Sequence, residues 1–120
     1  MRLVRFLSSL IPSFLLFLAF LYFYVVIHEM THRTIYDYFG IESRINVTFC
    51  RRLICGETDV TKFGEYVLNR LSDEDYRDLR LLQAQTEILG YQLLPLYFIL
   101  VLILIVEVHN IKYEDKTSKR

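Results

Sequence analysis

Two apolar runs set the limits on what this chain can fold into. Residues 6–27 are apolar apart from Ser8, Ser9, Pro12 and Ser13, and residues 88–106 apart from Gly90, Gln92 and Pro95. As helices rising about 1.5 Å per residue, each spans about 30 Å, the thickness of a bilayer's hydrocarbon core. With 120 residues in all, there is room for one domain built around those two spans. The expected fold class is therefore a mostly α membrane protein: a two-span antiparallel helical hairpin with a small folded loop between the spans.

The flanks suggest an orientation. Arg2 and Arg5 precede the first run, as in a secretory signal, but the run exceeds the roughly 7–15 residues of a signal core and no small-x-small cleavage site closes it. It is expected to stay as an anchor. Lys112, Lys116, Lys119 and Arg120 outweigh Glu114 and Asp115 after the second run. The positive-inside tendency then puts both termini in the cytoplasm and the loop outside, a bias diluted by Arg33, Arg44, Arg77 and Arg80 in the loop. Formal net charge is zero, so nothing points to a nucleic-acid partner.

Local patterns divide the chain. A first helix is expected over 3–39, with Gly40 as its stop. Residues 41–49 alternate apolar and polar, the signature of a strand with one buried face. Residues 51–55 can return as a second short strand ended by Gly56. Phe63, Val67 and Leu71 form the stripe of a short helix over 62–71. Ser72 opens the last helix, 73–109, with a capping-box pattern, and 110–120 is expected as a frayed tail within the single domain of residues 1–120. Asn46-Val47-Thr48 is a glycosylation sequon usable only if the loop faces outside. Cys50 and Cys55 are either a small disulfide or two free thiols.

The chemistry-bearing residues cluster where the first run ends. His28-Glu29-Met30-Thr31-His32 places two of the chain's three histidines four residues apart. On a helix that spacing lets both imidazoles face one metal ion. Glu29 then sits beside the ion's open position as a candidate general base, which gives the HExxH spacing a mechanism. The alternative is a chance match, with the histidines as polar residues at a membrane surface. A catalytic zinc site needs a third protein ligand. In an antiparallel hairpin the second span enters the membrane where the first leaves it, so Glu87 meets the histidines at one depth. Glu107 and His109 fall about 30 Å further along the same helix and are excluded. Gln83, Glu87 and Tyr91 form one polar stripe, and Tyr91 can donate to a developing oxyanion or orient Glu87. Asp59, and behind it Asp37, Glu42, Cys50 and Cys55, are weaker ligand candidates.

Taken with Tyr38-Phe39-Gly40 and the alternating strand to Phe49, the motif resembles the start of the catalytic core of the site-2 protease family of intramembrane zinc metalloproteases. The resemblance covers about a fifth of the chain. It implies zinc on His28 and His32, Glu29 as general base, and a strand edge for pairing with a substrate segment. Two departures stand out: the chain has no Asp-Gly to supply that family's third ligand, and no third core span. Glu87 as ligand gives instead the His, His, Glu set of gluzincin-type peptidases.

The expectation is a membrane-embedded zinc metallopeptidase acting on a peptide or a membrane protein's juxtamembrane segment. His28, His32 and Glu87 hold the metal, Glu29 and Tyr91 are catalytic, and a homo-oligomer completes the walls that two helices leave open. The rival is a non-enzymatic helical-hairpin membrane subunit, or an inactive protease homologue that binds membrane clients.

Overall fold

The computed structural model describes the backbone of residues 2–118 and the side chains of residues 8, 10–108, 110 and 111. In chain order the elements are helix α1 (Arg2–Tyr38), strands β1 (Ser43–Cys50) and β2 (Leu53–Val60), helix α2 (Lys62–Leu68) and helix α3 (Asp73–Ser118). The architecture is mostly helical, with a small two-stranded antiparallel sheet. Both α1 and α3 contain a segment long and apolar enough to cross a membrane.

Helix α1 stops where glycine permits it. Gly40 has φ +71°; its N–H bonds to the Asp37 carbonyl at 3.0 Å, and the Ile41 N–H reaches back to Tyr36 at 2.9 Å. This is a Schellman closure, in which a left-handed residue satisfies the last carbonyls of the helix. Ile41 is fully buried. It belongs to this closure rather than to the strand, which is why β1 starts at Ser43 and not at 41.

Strand β2 runs through Gly56 to Val60, beyond the end expected at that glycine. It pairs residue for residue with β1, from Ser43 opposite Val60 to Cys50 opposite Leu53. Directly opposed residues share a face. Ser43, Ile45, Val47 and Phe49 thus lie on the face that carries Val60, Thr58, Gly56 and Ile54. Near the turn, Cys50 and Cys55 form a disulfide, which resolves the alternative left open by the sequence.

The Thr61 hydroxyl caps α2 by accepting from the Gly64 N–H. The helix ends at Leu68, with Asn69 as C-cap; Leu71, expected inside it, belongs to the following turn. Ser72 then opens α3: its hydroxyl accepts from the Asp75 N–H at 3.1 Å and donates to the Asp75 carboxylate at 2.7 Å. Beyond Pro95, α3 meets no glycine or proline before its end at Ser118. Nothing breaks it at 109, so the expected tail continues as helix.

The chain divides into two compact units. One combines α1 up to Phe20 with α3 from Gln92 on. There Phe17 stacks on Phe98 with ring centroids 5.4 Å apart, the Tyr97 hydroxyl donates to the Phe20 carbonyl, and Val101 is buried. Ile11, Phe14, Leu15, Leu96, Leu100 and Leu102 remain exposed. The other unit, Leu21–Tyr91, holds the remainder of both helices, the sheet and α2.

Candidate metal centre

Within the Leu21–Tyr91 unit, α1 and α3 run antiparallel. Tyr24 donates its hydroxyl to the Gly90 carbonyl, while one end of Gln83 meets the His32 ring. Rising residue numbers on α1 therefore face falling numbers on α3. That register brings His28, His32 and Glu87 together, with one ligand atom from each lying within 4.8 Å of the others.

The shape of the cluster suits a small cation. His28 Nε2 and His32 Nε2 are 3.2 Å apart. His32 Nε2 is 3.1 Å from Glu87 Oε1, and His28 Nε2 is 3.8 Å from Glu87 Oε2. Tetrahedral zinc bonds of about 2.0–2.1 Å require ligand atoms about 3.3 Å apart; the two contacts of His32 match this, while His28 faces the other Glu87 oxygen at 3.8 Å. Two imidazoles and a carboxylate are also a donor set suited to zinc.

The proton on His32 sharpens the argument. Its Nδ1 hydrogen-bonds the amide oxygen of Gln83, while the Gln83 amide nitrogen donates to the His32 carbonyl at 3.4 Å. The second contact fixes which end of the amide faces the ring. Nδ1 therefore carries the hydrogen, and in the neutral ring Nε2 carries the lone pair. A lone pair at Nε2 faces Glu87 Oε1, itself an acceptor. A cation placed between them reconciles the two acceptors.

Packing holds His28 and Glu29. A Cβ placed on Gly90 would lie 2.5 Å from His28 Cε1, so the absence of a side chain at 90 makes room for the ring. Glu29 is only 7% exposed. Its Oε2 accepts from the Thr58 hydroxyl at 2.7 Å, and a Cβ at Gly56 would stand 2.5 Å from its Cγ. Strand β2 thus packs directly on the carboxylate. Glu87 is open by contrast, with its side chain 52% exposed.

Other candidates lie elsewhere. Tyr91 is 73% exposed, and among the described residues no hydrogen bond joins it to the cluster. Asp59 is exposed on β2 opposite Arg44. Asp37 pairs with Arg33 at 3.8 Å, and Glu42 accepts from Thr61 at 2.7 Å. Cys50 and Cys55 are consumed by their disulfide. Sequence reasoning missed Thr58, Gly56 and Gly90, and it noticed Gln83 only as part of a stripe. Strand pairing gives no warning of which residues will meet a helix, although Gly90, five residues before Pro95, sits one turn from Glu87 and marks a close approach.

Comparisons with protein-family models, curated proteins and solved structures found no match to this chain.

Proposed function

We propose that this chain is a membrane-embedded zinc metallopeptidase, resembling the site-2 protease family in its motif, that hydrolyses peptide bonds at or near the membrane surface. The observation that supports it best is the convergence of His28, His32 and Glu87 from two helices, with Glu29, the residue after His28, buried against the sheet. The length and apolarity of α1 and α3 support the membrane setting. The flanking Arg and Lys residues favour both termini in the cytoplasm and the connecting loop outside.

His28, His32 and Glu87 would hold zinc, which would supply Lewis acidity toward a water and a peptide carbonyl. The protein's own residues do the remaining work. Gln83 keeps the hydrogen on His32 Nδ1, leaving Nε2 free to ligate. Thr58 holds one carboxylate oxygen of Glu29, whose other oxygen takes the proton of the attacking water and returns it to the leaving amine. Tyr91, one turn beyond Glu87, serves as donor to the developing oxyanion. The exposed side of Glu87 is where a substrate segment reaches the site.

One observation favours the rival, a non-enzymatic membrane subunit or inactive homologue. The Thr58 hydroxyl already occupies Glu29, so the carboxylate can serve to anchor the sheet on α1. Elemental analysis of purified wild type, His32→Ala and Glu87→Ala, together with peptide hydrolysis by Glu29→Gln, separates the readings. The peptidase requires stoichiometric zinc, lost in the first two variants, and activity abolished in the third with zinc retained. A metal-free wild type would leave only the rival.

A further inference from the structure

The turn of the β-hairpin carries side chains that a water-facing turn has no use for. Phe49 belongs to the sheet face that also carries Ile45, Val47, Gly56 and Thr58. Gly56 and Thr58 pack against α1, yet Phe49 is 79% exposed. The apolar face therefore continues past its contact with the helix. Leu53 is a second uncovered apolar side chain, 48% exposed, and its backbone has φ +84°. Glycine or asparagine is the ordinary choice in that conformation, and a branched apolar residue there carries strain. Between them Arg51 and Arg52 are exposed, and no carboxylate pairs with either among the described residues.

The hairpin also has a direction. Thr58 meets the backbone of Glu29, and two residues earlier in β2 a Cβ on Gly56 would meet the Glu29 side chain and also Val25, one turn back along α1. Moving along β2 from Thr58 toward the turn thus follows α1 from Glu29 back toward Val25, the side on which its apolar run lies. Leu53 is three residues further still, about 10 Å along a strand.

We propose that the disulfide-clamped turn, Phe49 with Leu53 and the Arg51-Arg52 pair, docks into the headgroup layer of an anionic bilayer. Phe49 and Leu53 enter the acyl boundary while the two guanidinium groups bind lipid phosphates, the pairing used by interfacial segments. The inference rests on the membrane setting proposed above and adds to it a second attachment point, beside the metal centre.

The chain contains no tryptophan, so Phe49→Trp installs a unique fluorophore at the turn. The full chain is reconstituted in phosphatidylcholine vesicles with and without phosphatidylglycerol, using lipids brominated near the headgroup to probe the turn and lipids brominated deep in the acyl chain to probe the span. Phe14→Trp, at an exposed site in the apolar run of α1, is the companion probe. The docked turn gives blue-shifted, bromine-quenched emission that strengthens with phosphatidylglycerol. Arg51→Gln with Arg52→Gln then weakens docking by about fivefold per charge removed. Quenching at Phe14→Trp without quenching at Phe49→Trp overturns the docking but keeps the membrane setting. Absence of quenching at both removes the membrane setting and the docking together. Quenching at the turn that ignores lipid charge and both arginine changes refutes the phosphate contacts. Blue-shifted emission without quenching means that protein, such as a second copy, covers the turn, and refutes lipid as the occupant.

Discussion

Gln83 holds His32 from two sides, its amide oxygen on the ring Nδ1 and its amide nitrogen toward the His32 carbonyl, across 51 residues of sequence. A metal-binding histidine is ordinarily fixed this way, by an acceptor on the nitrogen that does not ligate. Gln83→Leu removes the acceptor and leaves the three ligands in place. Zinc affinity, measured by competition with a chromogenic chelator, is expected to fall by about 10- to 100-fold. An unchanged affinity would mean that Gln83 only joins the helices.

Thr58 and Glu29 make a separate test, because their contact does not include a metal ligand. Thr58→Val keeps the shape and deletes the hydroxyl that donates to Glu29 Oε2. A hydrogen bond to a charged group contributes about 1.5–3 kcal/mol, so thermal unfolding should shift measurably while zinc content stays at the wild-type level. Under the peptidase reading kcat also falls. Loss of stability alone, with hydrolysis unaffected, would make Thr58 a purely structural partner.

The chain shows its long elements plainly and hides its contacts. Two apolar runs, Gly40 and the Ser72 cap each carry a local signal, and α1 and α3 follow from them. The meeting of Glu87 with the two histidines was also legible, because antiparallel helices of known length place residues at equal depth. Thr58 and Gly56 were not. Their role depends on which face of a two-stranded sheet lands on α1, and neither strand's alternation names its partner. Gly56 misled outright: a glycine inside a strand signals a break, yet here it signals a carboxylate packed against the backbone.

If zinc binds as proposed, its removal links the site to stability. A ligand that binds only the folded chain raises the unfolding temperature, and its removal reverses the gain. Chelation should lower the melting temperature of wild type and leave Glu87→Gln, already deprived of a ligand, where it was. A chelator that shifts neither protein would mean that no metal occupies the cluster.

Two glycine substitutions separate packing at the metal from packing at the sheet. Gly90→Ala sets a methyl group 2.5 Å from His28 Cε1, and Gly56→Ala sets one 2.5 Å from Glu29 Cγ and 2.7 Å from Val25. Overpacking of this kind costs about 1–3 kcal/mol, so both variants should unfold at lower temperature. Their effects on zinc should diverge. Gly90→Ala pushes a ligand ring out of line, and a misplaced imidazole binds more weakly, so zinc affinity drops along with stability. Gly56→Ala displaces a carboxylate that does not ligate, so affinity holds while hydrolysis suffers. Equal losses of zinc in both would show that the sheet and the histidines form one inseparable support, and that Glu29 cannot be perturbed apart from the metal.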